Sequence, residues 1–218
     1  MTQFVLSTYL TQSLGITFHP DLRICGIDEV GRGAFAGPLV ACGVVFPASY
    51  ANPDLRDSKE LSPARRTVLA EVVKHDALAY ALAEVSPHDI DCHGVGWANR
   101  TAFESLLASL DADVYICDGN LKLASSRRWV SLPKADQIVA AASGASIVAK
   151  THRDSLMEKH HHDAPMYCWA DNKGYGSKAH REAIRSHGLH VLHRRSFIHE
   201  APLEHLPEQL SLFPPAAS

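Results

Sequence analysis

The stretch Ile24-Cys25-Gly26-Ile27-Asp28-Glu29-Val30-Gly31-Arg32-Gly33 constrains the fold more than any other in this chain of 218 residues. An apolar run that reads as a buried strand delivers two consecutive carboxylates into a Gly-Arg-Gly turn. Burying acids beside a core strand costs free energy unless a cation or a hydrogen-bond donor compensates. Neighbours on a regular strand point to opposite faces, so Asp28 and Glu29 are expected to share a site only if the strand ends or bends there. Gly31 and Gly33 permit such a bend and leave backbone amides open to a phosphate. Arg32 adds a fixed positive charge. Taken alone, the stretch reads equally well as a strand followed by a charged turn.

The chain is long enough for one large domain, and a hydrophobic share of 46% supports a proper core. No run approaches the roughly 18 apolar residues of a membrane helix. The first twenty residues lack the basic start and apolar core of a secretion signal. The five cysteines include no Cys-x-x-Cys, and three lie inside apolar strand-like runs; they read as small buried hydrophobes in a reducing cytoplasm, not as zinc ligands or disulfides. The net charge of −3 gives no global sign of a nucleic-acid partner, but its distribution does. Between residues 172 and 195, Lys173, Lys178, Arg181, Arg185, Arg194 and Arg195 face Glu182 alone, and His180, His187, His190 and His193 thicken the block. A solvated helix face is the plain alternative. The imbalance favours a polyanion.

Along the chain, residues 1–20 are expected as an N-terminal extension, either a short helix or a frayed segment. Leu22 to Asp28 and Leu39 to Phe46 read as neighbouring strands. Ser62 and Pro63 are a plausible cap and first position of a helix to about Lys74. A strand at Ala77 to Val85, a turn or short helix at Ser86 to Asp91, a helix over Trp97 to Leu110 and a strand at Val114 to Cys117 follow. The last strand also ends in an acid, Asp118, before Gly119-Asn120. A loop with two arginines and Pro133 leads to Lys134-Ala135-Asp136, read as the start of a long helix rich in small residues that reaches about His160. Gly144 inside it is expected to allow close approach to a sheet. His160, His161 and His162 suit a helix C-terminus better than a metal site. A helix from about Lys178 to His187 stops at Gly188. Strands interleaved with helices give an α/β fold, and the opening pair makes a mixed sheet the expectation.

Asp28, Glu29, Asp118 and Asp136 thus stand at element ends. Carboxylates converging in one cleft repel one another and raise their own pKa values. Two divalent cations with a taste for oxygen, Mg²⁺ or Mn²⁺, would cancel that charge and support an in-line phosphoryl displacement. The alternative for Asp136 is a helix cap. The chain has no Ser-His-Asp arrangement, P-loop or Gly-x-Gly-x-x-Gly, so the acids jointly point to a two-metal phosphoesterase.

Asp28-Glu29-Val30-Gly31-Arg32-Gly33, Gly37-Pro38, Asp57-Ser58-Lys59-Glu60-Leu61, Asp118-Gly119-Asn120 and Ala145-Ser146-Ile147-Val148-Ala149-Lys150 resemble, in order, the signature blocks of the type 2 ribonucleases H. Arg153-Asp154, Lys173-Gly174-Tyr175-Gly176-Ser177 and His193-Arg194-Arg195-Ser196-Phe197 continue the series. The Gly-Arg-Gly form is closer to ribonuclease HII than to HIII. Ala135, Gly144 and Asn172 depart from the usual residues without removing an acid. The resemblance, over about residues 22–200, implies an RNase H-like fold, a mixed central sheet flanked by helices with a basic helical C-terminal part, in a catalytic domain spanning 21–200. It implies a metal-dependent endoribonuclease that hydrolyses the RNA of RNA–DNA hybrids and incises 5′ of single ribonucleotides in duplex DNA, leaving 3′-hydroxyl and 5′-phosphate ends. Asp28, Glu29, Asp118 and Asp136 would be its catalytic acids and hold two Mg²⁺ or Mn²⁺ ions. Gly31, Arg32, Gly33, Lys59 and Tyr175 would bind substrate, with the glycine backbone and Tyr175 reading the 2′-hydroxyl and the next sugar. For Tyr175 the plain alternative is a half-buried turn aromatic. A non-catalytic hybrid-binding protein and a different two-metal nuclease on the same fold are the competing functions.

Residues 201–218 form a tail rich in proline and leucine. Its Gln209-Leu210-Ser211-Leu212-Phe213 resembles the short motif by which bacterial replication proteins bind the sliding clamp. Gln209, Leu210, Leu212 and Phe213 would make that contact; packing on the domain is the alternative.

Overall fold

The computed structural model describes residues 2–55 and 61–199. Five strands form one sheet: β1 (Arg23–Val30), β2 (Leu39–Pro47), β3 (Ala79–Val85), β4 (Val114–Asp118) and β5 (Trp129–Leu132). Their order is β3-β2-β1-β4-β5, so the acid-bearing strand lies at the centre. β2 pairs antiparallel with both β1 and β3, whereas β4 runs parallel to β1 and to β5. The expected mixed sheet is therefore present.

Strand alternation sorts the apolar residues into two cores. Ile24, Val40, Cys42, Val44, Phe46, Val114 and Ile116 pack on one face, against α1 (Thr2–Leu14), α2 (Pro63–Asp76) and α5 (Ala140–Asp163). Leu10 of α1 and Ile16 beyond it are buried in this core. Cys25, Ile27, Leu39, Ala41, Val45, Tyr115 and Cys117 pack on the other face, against α3 (Pro87–His93) and α4 (Val95–Ser109). Cys25, Cys42 and Cys117 behave as the buried hydrophobes expected of them: burial pushes all three thiols up, the latter two to about 12.

A third, smaller core holds Ala36, Met157, Ala164, Tyr167, Trp169 and Ile184. It joins the end of α5 to α6 (Trp169–Asn172) and α7 (Lys178–His187). Ser62 caps α2, with its hydroxyl accepting the Arg65 amide, and Gly188 ends α7 at φ +77°. His160, His161 and His162 fall in the last turn of α5, as the dipole favours.

Three readings need correction. β1 does not stop at Asp28 but runs to Val30, with Asp28 opposite Cys42 and Glu29 opposite Ala41 in an unbroken ladder. The loop before Pro133 contains β5, a four-residue strand too short to show a pattern. Asp136 does not open the long helix: it lies in a 3-10 turn, Ala135–Gln137, entered through Lys134 at φ +62°. Val139 is extended, and α5 starts only at Ala140.

Candidate active site

Ile27 of β1 stands opposite Cys117 of β4 in the parallel ladder, so Asp28 and Asp118 come at the same level one residue further on. Alternation puts both on the face covered by α5. Asp28 is buried, at 7% exposure, and Ser146 of α5 hydrogen-bonds its carboxylate. The Glu29 amide donates to its Oδ1 at 2.8 Å. Even so, burial first, and then Glu29 and Asp118, push its pKa up to about 7. Glu29 leaves the strand on the other face, yet at its end the carboxylate still feels Asp118. Burial raises its pKa; Arg32 opposes this from 3.5 Å.

The fourth acid is linked to the third through the backbone. The Ala135 amide donates to Asp118 Oδ1 at 2.8 Å, and Asp136 is the next residue, 4% exposed. Asp28, Glu29 and Asp118 are thus brought within mutual electrostatic reach, and the turn carrying Asp136 is fastened to Asp118. Among the described residues no group of three or more His, Cys, Asp or Glu side chains is closed around a metal-sized centre. The donor set nevertheless fits hard divalent cations: it is all carboxylate oxygen, and Asp28, Glu29 and Asp118 repel one another where burial already disfavours charge on the first two.

Beyond the acids, residues 31–38 form a loop gripped from below by two buried arginines. Arg153 of α5 donates from Nε to the Pro38 carbonyl at 2.9 Å, from Nη2 to Ala36 at 2.9 Å and from Nη1 to Lys173 at 2.8 Å. Arg194 donates twice to the Gly37 carbonyl, at 3.0 and 2.8 Å, and once to Arg32 at 3.1 Å. Burial lowers both guanidinium pKa values, that of Arg194 to about 9 with Arg153 as the second cause. Gly31 has φ +86°, and a Cβ on it would lie 2.2 Å from Arg153 Nε. The same guanidinium lies 5.4 Å from the centre of the Tyr175 ring. Gly31 and Tyr175 therefore both stand against Arg153, which sets the surface they share. Tyr175 remains 38% exposed, and Gly33 has open space around it. Lys59 lies outside the described residues, as do Gln209, Leu210, Leu212 and Phe213.

The basic block is less available to a polyanion than its composition implies. Arg194, His180 and His193 are buried, so their charge or ring faces the protein. Ser146 and Arg153 stand in the resembling blocks without a stated role, and Arg194 counts with the basic block; that both arginines are buried and hold the loop 31–38 is not readable from the sequence.

The model of the ribonuclease HII family matches residues 25–200. The chain belongs to that family. Ribonuclease HII of Syntrophus aciditrophicus is 39% identical over 176 residues, covering 80% of this chain and 83% of that protein. The enzyme of Cytophaga hutchinsonii is 37% identical over 203 residues, covering 91% and 98%. Among solved structures, the PCNA:RNase HII complex from Archaeoglobus fulgidus aligns with a TM-score of 0.67 at 24% identity, over 80% of this chain and 93% of that one. Bst-RNase HIII in complex with Mn²⁺ aligns at 0.63 and 18%, over 87% and 70%. At these identities the structures bear on the fold alone. Family membership makes the chain a metal-dependent endoribonuclease acting on the RNA strand of RNA–DNA hybrids.

Proposed function

We propose that this member of the ribonuclease HII family also incises 5′ of single ribonucleotides embedded in duplex DNA, leaving 3′-hydroxyl and 5′-phosphate ends, with two Mg²⁺ or Mn²⁺ ions in the reducing cytoplasm. The observation that carries the reading is the level placement of Asp28 and Asp118 on adjacent parallel strands, beside a surface shared by Gly31 and Tyr175. Asp28, Glu29, Asp118 and Asp136 would hold the ions. Bound there, the ions supply positive charge that activates a water and stabilises the leaving oxygen. The chain's own groups orient the acids: Ser146 and the Glu29 amide hold Asp28, and the Ala135 amide holds Asp118.

Arg32 and the backbone at Gly31 and Gly33 would meet the phosphate and the 2′-hydroxyl, while the Tyr175 ring would lie against the following sugar. The 2′-hydroxyl is what separates RNA from DNA at a single position. Lys59 is assigned to the substrate by resemblance alone. Gln209, Leu210, Leu212 and Phe213 would bind a sliding clamp, a reading supported by the PCNA partner of the Archaeoglobus fulgidus enzyme.

The test is a DNA duplex carrying one ribonucleotide, incubated with Mg²⁺, with Mn²⁺ and with EDTA. One cut 5′ of the ribonucleotide is expected in either metal and none in EDTA. Equal cutting of an all-DNA duplex would show a different nuclease on the same fold, and binding without cutting a non-catalytic hybrid binder.

A further inference from the structure

Behind Tyr175 lies a group of rings that none of the chemistry above uses. His180 and His193 are buried, with their Nε2 atoms 3.0 Å apart. Their hydrogens can be assigned from the partners. His180 Nδ1 faces the Tyr175 carbonyl at 2.9 Å and must donate to it. Its Nε2 is then a bare acceptor and receives the Trp169 indole N–H at 3.1 Å. His193 Nδ1 receives the His190 amide at 2.8 Å and is also 3.3 Å from the His190 carbonyl. The amide decides the tautomer, because a hydrogen on Nδ1 would leave two bare nitrogens facing each other across 3.0 Å. His193 therefore donates from Nε2 to His180. All four ring nitrogens are engaged, each in one role.

The two ends of this relay touch the two halves of the substrate surface. Tyr175 sits between Gly174, at φ +82°, and Gly176, so no neighbouring side chain holds its peptide. Its carbonyl takes two bonds, from the Ser177 amide at 2.8 Å and from His180. At the other end the His193 backbone pairs with Ala36, and the next amide, Arg194, donates to Phe35 at 2.7 Å. Phe35 and Ala36 follow Gly31-Arg32-Gly33 after Ala34, and their amides also donate directly to the Gly174 carbonyl, at 2.8 and 3.1 Å. Trp169 is the fixed post: it is fully buried and stacks on Tyr167 at 5.0 Å.

We propose that His180 is a positioning residue for Tyr175, and that the His193–His180 hydrogen bond adds to the Gly174 and Arg153 bonds a tie that acts on the Tyr175 peptide itself, so that the turn and the loop bearing Gly31-Arg32-Gly33 keep one spacing. The inference rests on the reading of Tyr175 given above. It assigns to a buried imidazole the discrimination between one correctly placed ribose and a run of them. A long hybrid offers many registers, so a misplaced tyrosine still finds a productive one; a lone ribonucleotide offers a single register.

Two substitutions divide the imidazole into its halves. Asn at 180 keeps an N–H near the δ position, facing Tyr175, and removes the ε acceptor. Gln at 180 keeps a polar group at the ε level and removes the δ donor. His180→Gln is expected to lower kcat/KM on the single-ribonucleotide duplex by about tenfold more than on a long hybrid, the scale of a small misplacement. His180→Asn, which keeps the δ donor but cuts the bond to His193, should recover only part of that ratio; full recovery would show that the His193 bond does not tie the two elements. The ratio between the two substrates is insensitive to how much of a variant is folded. A purely structural role would lower both substrates together and leave the ratio at the wild-type value, which would overturn the proposal.

Tyr175→Ala and the double variant Tyr175→Ala/His180→Gln close the cycle. If His180 works through Tyr175, the double variant has the ratio of Tyr175→Ala alone, and multiplied losses would refute it. A selective loss in Tyr175→Ala with none in His180→Gln defeats the positioning role only. No selective loss in Tyr175→Ala defeats the reading of Tyr175, and the inference with it.

Discussion

Asp28 and His193 are both buried titratable groups, and burial moves them in opposite directions. The Asp28 carboxyl rises from 3.8 to about 7, so between those values the folded chain holds a proton that the unfolded chain has given up. This lowers stability as pH rises through that window, and the full cost is present above it. Asp28→Asn should therefore cost hydrolysis on the order of a thousandfold or more while raising the melting temperature of the metal-free protein at pH 8. Near-normal turnover in Mg²⁺ by the folded variant would remove Asp28 from the metal site. The His193 imidazole falls from 6.5 to about 3, through burial first and His180 second. Here the unfolded chain takes up a proton that the fold refuses, so stability is complete above 6.5 and declines as pH falls toward 3. Calorimetry should show that decline, and His193→Gln should show less of it. The direction of the Asp28 shift was expected from the convergence of acids, although burial is its larger cause; the His193 shift was not visible in the sequence. Asp28 was legible as a ligand because an acid ending an apolar run is chemically anomalous, but His193 looked like one more basic residue in a basic block, since composition carries no record of burial.

At the scale of elements, the contact between β1 and α5 sets the site. A Cβ on Gly26 would lie 2.0 Å from the Ala142 backbone nitrogen, so strand and helix meet with nothing between them. That approach lets Ser146, one turn further along α5, reach Asp28. Gly26→Ala should cost about 3 kcal/mol or more in denaturant unfolding and weaken hybrid cleavage with it; an unchanged midpoint would mean that α5 shifts freely. The sequence pointed to Gly144 for this approach, yet a Cβ there would meet only side-chain atoms of Val73 and Phe46, at 3.1 and 3.4 Å. The glycine that matters lies in the strand, where an apolar run conceals it. β1, β2, α2 and α7 were readable because each carries its own punctuation: paired acids, Gly-Pro, a Ser-Pro cap and a glycine stop. β5 carries none. The start of α5 was misplaced because Lys134-Ala135-Asp136 has helical composition, while the backbone at Lys134 is left-handed and held by the Ala135–Asp118 bond.

For the whole molecule, the tail beyond residue 200 is separable from the chemistry on the reading given above. Removing residues 209–218 should leave cleavage of short oligonucleotides unchanged and abolish binding to a sliding clamp in calorimetry. Affinity in the intact chain should be about micromolar, since a short peptide loses entropy on ordering. A truncated chain that unfolds, or an intact one that ignores the clamp, would make the tail structural. The grip of Arg153 and Arg194 on the loop 31–38 spans 117 residues to Ala36 and 162 to Arg32. Chains leave the ribosome N-terminus first, folding as they emerge. The acids of β1 are thus exposed early, but the guanidiniums that shape the loop beside them are made more than a hundred residues later. A nascent chain therefore carries its acids well before residue 194 lets it assemble the surface that selects a ribose.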